Sequence, residues 1–190
     1  MKNKVQIAIF ISGKGTNALN LIRYFKNHSK ISVDLIFSTR PNETIEKISS
    51  EVGISFIHYS PDMGDWHEVA LKACNDFQID FIVLAGFLKK VTPSIIAAYP
   101  NRIINIHPSL LPKFGGKGMY GKHVHEAVIA CGEKKSGITV HFVNDAFDEG
   151  EIIAQYDTIV YVNETPESLA EKIHKLEMEF FPKVLEKVIE

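Results

Sequence analysis

Cysteine is scarce: only Cys74 and Cys131 occur in 190 residues, far apart and with no second thiol near either. That spacing excludes a Cys-x-x-Cys redox motif and a cysteine-ligated zinc site. Two cysteines still permit one bridge, but reduced thiols in a cytoplasmic protein are the plain expectation. Long apolar runs are missing too. None approaches the ~20 residues of a membrane span. The start, Met1-Lys2-Asn3-Lys4 followed by an apolar run, imitates a signal peptide, yet the run is short and enters a glycine loop instead of a cleavage site. Charge of one sign is not in excess, with 21 Lys and Arg against 23 Asp and Glu. With no basic stripe, nucleic acid is not an expected partner. Repeats, low-complexity tracts and linkers are absent as well. What remains, 45% hydrophobic and 23% charged residues, suits one soluble domain, 1–190, able to bury a core without staples.

Apolar runs rich in β-branched residues alternate with longer amphipathic stretches, which predicts an α/β fold: a Rossmann-like, mostly parallel central sheet flanked by helices. Strands are expected at 5–11, 33–37, 55–58, 81–85 and 103–106, with helices at 18–27, 43–52, 67–77 and 94–98. Thr92-Pro93 offers the last of these a capping hydroxyl and a proline at the first helical position. Further on, a helix near 123–130 precedes a strand at 138–143 and an extended region at 152–162, a candidate antiparallel strand. A long helix from about Pro166, capped by Thr165, closes the chain. Its stripe of Leu169, Ile173, Leu176, Phe180, Val184 and Val188 should pack on the sheet. Pro182 should kink or split it.

The chemistry centres on Asn105-Ile-His-Pro-Ser-Leu-Leu-Pro112. Alternate residues of a strand share a face, so Asn105 and His107 point together while Ile104 and Ile106 enter the packing. An amide and an imidazole ending a buried strand need hydrogen-bond partners or a catalytic task, and a satisfied structural pair is the bland alternative. Upstream, Ser12-Gly-Lys-Gly-Thr-Asn17 leads from a strand directly into a helix, an arrangement that presents N–H groups to an anion such as a phosphate. It lacks the third glycine of a dinucleotide fingerprint and the Gly-Lys-Ser/Thr of a Walker loop. A tight turn capped by Thr16 or Asn17 is the competing reading. The strand 81–85 ends in Gly86, where Phe87 and Leu88 either wall a pocket for a flat ring or merely cover the sheet edge. In Val140–Gly150 a strand leaves into an acidic loop, one of whose carboxylates could fold back on His107; a merely solvated loop is the competing reading. His107, His123, His125 and His141 invite a zinc site, but His123 and His125 fall on different helix faces, so no metal is expected.

Together, Ser12-Gly-Lys-Gly-Thr-Asn17, Ala85-Gly-Phe-Leu88, Asn105-Ile-His-Pro-Ser-Leu-Leu-Pro112 and Asp148-Glu-Gly150 resemble the phosphoribosylglycinamide formyltransferases of the folate-dependent formyltransferase superfamily, in order and along essentially the whole chain. The resemblance implies formyl transfer from 10-formyltetrahydrofolate, a co-substrate, to the amine of 5-phosphoribosylglycinamide. It implies Asn105, His107 and Asp148 as the catalytic amide, imidazole and carboxylate. Gly15, Thr16 and Asn17 would hold the ribose phosphate, with His174 and Glu177, which share a helix face, as a second group of amine contacts. Folate contacts would fall on Leu88, Lys89, Lys90 and Val91, on Asn105, and on the backbone from Asn144 to Asp148. The phosphate-binding half would be about 1–100, and the folate and catalytic half about 101–190, in a monomer or homodimer. On this reading Asp148 raises the pKa of His107, whose protonated ring joins Asn105 in donating to the oxyanion.

The chain also departs from the pattern. Glu149 stands where a second glycine commonly follows the aspartate, and the loop from Lys113 to Lys122 is long, rich in glycine and a candidate lid. Lys89 replaces an arginine, and Asp65-Trp66 lacks the one expected near the folate tail. The same trio could instead hydrolyse 10-formyltetrahydrofolate or formylate another amine, methionyl-tRNA or a nucleotide sugar among them. A non-catalytic anion-binding module is the remaining class, and it would lose no turnover in His107→Ala.

Overall fold

The computed structural model describes residues 4–190; the Met1-Lys2-Asn3 start that imitates a signal peptide lies outside them. The chain forms two compact units, one running to Ile104 with Glu186–Glu190 added, the other spanning Asn105–Leu185.

In the first unit β1 (Val5–Ile11) pairs in parallel with both β2 (Ile31–Ser38) and β4 (Phe81–Leu84), and β2 pairs in parallel with β3 (Ser55–His58). Helices α1 (Thr16–Phe25), α2 (Glu43–Glu51), α3 (Trp66–Asp76) and α4 (Pro93–Ala98) are the crossovers such pairing requires. Covered on both faces, β1 tolerates no alternation, and Ile7 through Ile11 are all buried. The aromatic pair Phe10 and Phe37, with centroids 5.0 Å apart, fills the layer over β1 and β2. Strand β5 (Ile103–His107) begins in this unit and ends in the next.

The second unit adds α5 (Lys122–Ala130), β6 (Lys135–Phe142), β7 (Ile152–Ile159) and most of α6 (Pro166–Ile189). Strands β6 and β7 pair antiparallel, with an irregularity in register between Val140 and His141. The seven strands follow the order β3-β2-β1-β4-β5-β6-β7. The predicted α/β fold with a mostly parallel sheet is the fold observed.

Several details differ from expectation. Strand β2 starts two residues earlier than expected and β6 three, and β7 stops at Ile159 instead of reaching 162. Helix α6 runs unbroken through Pro182. Losing one N–H costs a single ladder bond, and the turn is held by Phe181, Val184 and Leu185, all buried. The buried face of α6 is accordingly Leu169, Ile173, Phe181, Val184, Leu185 and Ile189, with Leu176, Phe180 and Val188 only half-buried. Thr165 caps α6, accepting from the Ser168 N–H at 3.2 Å. Thr92 does not cap α4, because its hydroxyl bonds to that of Ser94 at 2.8 Å.

Candidate active site

Strand β5 carries Ile103 and Ile104 at about zero exposure and ends on Asn105, Ile106 and His107, the last 4% exposed. The period of two puts Asn105 and His107 on one face. A carboxylate reaches that face from the loop after β6. Asp148 Oδ2 lies 3.5 Å from His107 Nδ1, and its Oδ1 accepts from Asn105 Nδ2 at 3.4 Å. The three residues that the resemblance implied therefore meet within one unit, and Asp148 also accepts the Gly116 N–H at 3.0 Å.

The opposite edge of the His107 ring settles its tautomer. His107 Nε2 is 2.8 Å from the Phe114 carbonyl, which can only accept, so Nε2 carries the hydrogen. Burial pushes the pKa of His107 below the ordinary histidine value; Asp148 and the Phe114 carbonyl pull it back, but burial wins. The ring is neutral at neutral pH, and the expectation of a protonated ring is corrected on that account. The upward pull of Asp148 is present, though outweighed. For Asp148, burial acts upward, yet its surroundings, the His107 ring and the Gly116 N–H among them, hold it below the usual carboxylate range, so it stays ionised.

The glycine-rich loop wraps this pair. A Cβ on Gly115 would stand 2.6 Å from Leu111 Cδ2 and 3.2 Å from Asp148 Cβ, so a side chain there would have to displace Leu111 and press on Asp148. Asp148 itself has φ +56°, whereas Glu149 is exposed and contributes its carbonyl to Asn144 Nδ2 at 3.2 Å. The neighbour that needs glycine is Gly150, where a Cβ would meet the Phe142 carbonyl oxygen at 1.7 Å.

One further residue touches the trio. His141, 2% exposed, places Nε2 3.1 Å from Asn105 Nδ2 and 3.7 Å from Asp148 Oδ1. Sequence reasoning met His141 only as a zinc candidate. The signal was available, since Thr139 and His141 are alternate polar positions in the otherwise apolar stretch Ile138–Phe142. On α6, His174 and Glu177 do share a face, 3.5 Å apart, and that contact raises the pKa of His174. Glu177 also acts electrostatically on His107 and on His125, a buried histidine of α5. His123, by contrast, is exposed.

In the first unit, α1 starts at Thr16 and its N-cap is Gly15, with φ +74° and no side-chain cap, so neither Thr16 nor Asn17 caps it. The first-turn N–H groups therefore have no capping side chain in front of them. The loop is held from both sides. Asn42 caps α2 through Ile45 N–H at 3.0 Å and gives its amide hydrogen to the Gly13 carbonyl at 2.9 Å. The Ser12 hydroxyl bonds to Thr39 at 2.7 Å and accepts from the Leu88 N–H at 3.0 Å. Leu88 is exposed, whereas Val91 is buried and can offer only its backbone. Phe87 packs between Phe10 and Trp66, with centroids 5.4 Å from each. Lys89 lies 5.5 Å from the centre of the Tyr59 ring and 6.0 Å from that of Trp66. Lys90, Asn144 and Glu149 lie on exposed surface.

Two groups of described residues have donor atoms close enough for a metal ion: His28, Glu186 and Glu190, and Asp65, His67 and Glu68. In the first, His28 Nδ1 accepts the Ile31 N–H at 3.0 Å, so the hydrogen sits on Nε2 and points at Glu186, 2.9 Å away. That ring has no lone pair to offer. No helix among the described residues is long and apolar enough to cross a membrane.

The formyl transferase family model matches residues 5–185. The chain is 35% identical, over 97% of its length, to a chloroplastic phosphoribosylglycinamide formyltransferase of Arabidopsis thaliana. It spans 66% of that plant protein and 61% of its counterpart from Vigna unguiculata. It is 29% identical to the phosphoribosylglycinamide formyltransferase of Bacillus subtilis (strain 168), covering 97% of this chain and 94% of that one. Among solved structures, the phosphoribosylglycinamide formyltransferase from Bacillus halodurans superposes with a TM-score of 0.86 at 34% identity, over 96% of this chain and 94% of that one.

Proposed function

The chain belongs to the formyl transferase family, and from that premise we propose a one-carbon transfer in de novo purine biosynthesis. The formyl group of 10-formyltetrahydrofolate passes to the amine of 5-phosphoribosylglycinamide, giving N-formylglycinamide ribonucleotide. The observation that carries this reading is the meeting of Asn105, the neutral His107 and the ionised Asp148 within 3.4 and 3.5 Å.

The amine nitrogen attacks the formyl carbon, and the carbonyl oxygen becomes an oxyanion that needs donors already aimed at it. Asn105 Nδ2 and His107 Nε2–H are those donors, and the Phe114 carbonyl must yield the latter. The attacking nitrogen sheds a proton while the folate nitrogen gains one as its bond to the formyl carbon breaks. Between His107 Nδ1 and Asp148 Oδ2, 3.5 Å apart, lies a position with acceptors on both sides and no hydrogen. A proton taken up there is shared by imidazole and carboxylate before it moves to the leaving nitrogen. A neutral base beside an ionised acid is what this requires, and burial of His107 against stabilisation of Asp148 supports it.

On this reading the uncapped start of α1 at Gly15, Thr16 and Asn17 takes the ribose phosphate, and His174 and Glu177 contact the same substrate. Leu88, Lys89, Lys90 and Val91, with Asn105, Asn144 and Asp148, contact the folate. The first unit thus serves the phosphate and the second the chemistry. A cytoplasmic location belongs to the same reading, and free Cys74 and Cys131 suit a reducing compartment. The test follows 10-formyltetrahydrofolate consumption by absorbance with and without 5-phosphoribosylglycinamide. Loss of the donor only with the amine present is expected. Equal loss without it would replace transfer by hydrolysis, and no loss in either case would remove the activity.

A further inference from the structure

We propose that His141 is a positioning residue for Asn105: its Nε2 lone pair accepts one amide hydrogen and fixes the amide's rotation, leaving the second N–H for the oxyanion. The inference rests on the transfer reading above. It starts from the far side of the ring. His141 Nδ1 lies 2.7 Å from the Phe142 carbonyl, and a carbonyl can only accept, so Nδ1 bears the hydrogen. With that hydrogen on Nδ1, Nε2 is the ring atom left to accept. That nitrogen faces Asn105 Nδ2 at 3.1 Å, and only the amide can be the donor.

Turning the amide by half a rotation would set its oxygen against two lone-pair bearers, His141 Nε2 and Asp148 Oδ1. The two contacts are unequal. At 3.4 Å the bond to Asp148 is longer than a good N–H···O contact, while the bond to His141 is within range. The hydrogen on the Asp148 side is the one readily redirected, and the His141 bond keeps the nitrogen aimed meanwhile.

The backbone is shaped for this contact. The register of β6 against β7 shifts between Val140 and His141, and such irregularities re-aim a side chain. Gly150 closes against the same Phe142 carbonyl that sets the His141 tautomer. With 2% exposure, His141 touches no reactant; it acts through Asn105.

The test is a double-mutant cycle. His141→Leu removes the acceptor and is expected to lower kcat about 100-fold, the lower end of what one oxyanion donor supplies, with KM for both substrates little changed. His141→Gln restores an oxygen acceptor near the position of Nε2 and should recover most of that loss. On an Asn105→Ala background His141→Leu should cost nothing further, because there is no amide left to hold. A loss that multiplies with that of Asn105→Ala, or a Gln variant as poor as Leu, would overturn the proposal. If the Leu variant does not fold, nitrogen NMR of the wild-type imidazole decides. A protonated Nδ1 and a bare Nε2 whose resonance moves in Asn105→Ala are expected, and a protonated Nε2 would refute it. Wild-type protein that transfers no formyl group would sink the functional reading, while the NMR still judges the contact.

Discussion

Replacing Gly150 by alanine tests how the loop carrying Asp148 is held. Gly150 does not have positive φ, so the cost of a side chain there is steric alone. The new Cβ would stand 1.7 Å from the Phe142 oxygen, and real Cβ contacts do not fall below 3.0 Å, so the two backbone segments must part by about 1.3 Å. They are joined at that level by the Phe142 N–H donating to the Glu151 carbonyl at 2.9 Å. Overpacking costs about 1–3 kcal/mol and the lost bond about 1 kcal/mol, which puts the destabilisation near ~3 kcal/mol. At about 2–4 °C per kcal/mol for a chain of this size, the melting temperature should fall by about 6–12 °C. Turnover should fall about 100-fold, the effect of displacing a catalytic group by about 1 Å. Circular dichroism melting and the formyl-transfer assay read the two effects. Glu149→Ala, at an exposed neighbour, should stay within about 0.5 kcal/mol. A Gly150→Ala protein that melted and turned over like wild type would refute the reasoning, since the loop would then not depend on this closure.

Asp148→Asn removes the main charge that pulls the His107 pKa up, so the acid limb of the pH–rate profile should move to lower pH as turnover falls; an unmoved limb would separate the two residues. His107 and His125 are both held below the ordinary histidine pKa by burial. The unfolded chain therefore binds protons first as pH falls. Their contribution to stability is whole above about pH 6.5 and is lost as pH drops through the folded values. The urea midpoint should decline from pH 7.5 towards pH 5.5, more steeply in wild type than in His125→Phe, and equal slopes would argue against buried neutral His125. Gly15→Ala meets both φ +74° and Ile45 Cγ1 at 2.8 Å. It should raise KM for the phosphorylated amine more than it lowers kcat, and an unchanged KM would move the phosphate elsewhere.

Most of the sheet was legible because burial on both faces leaves a plain mark: Ile7 through Ile11 admit no polar residue, and the turn at Gly13 follows them. The trio was legible in part. Period two sufficed to pair Asn105 with His107, but nothing local chose Asp148 among the acidic residues of its loop; the resemblance did that. The region 152–159 was no more than a candidate antiparallel strand in sequence, because edge strands read alike either way; its register, from Lys135 opposite Ile159 to His141 opposite Ile152, shows it antiparallel. The stripe on α6 held at Leu169, Ile173 and Val184 and was read one position out at Phe180 and Val188, since Phe180 and Phe181 are equally apolar and packing alone selects Phe181. The protonation of His107 was misjudged for a related reason. A carboxylate partner is visible in sequence, whereas the depth of burial that outweighs it is a property of the assembled unit.

Glu149 and Gly150 show how a departure from a family pattern is to be weighed. By pattern Glu149 was the anomaly, a charged residue where glycine is common, and it left the shape of the catalytic loop in question. Yet its side chain is exposed and only its carbonyl is used, by Asn144. The strained residue of the turn is Asp148, at φ +56°, a conformation that Asp tolerates better than most residues. The close approach belongs to Gly150, whose missing side chain lets the loop close on Phe142. That same carbonyl holds His141 Nδ1, so the closure that brings Asp148 to His107 also sets the acceptor facing Asn105. A glycine lost at 150 would therefore disturb two members of the trio at once, whereas glutamate at 149 disturbs neither.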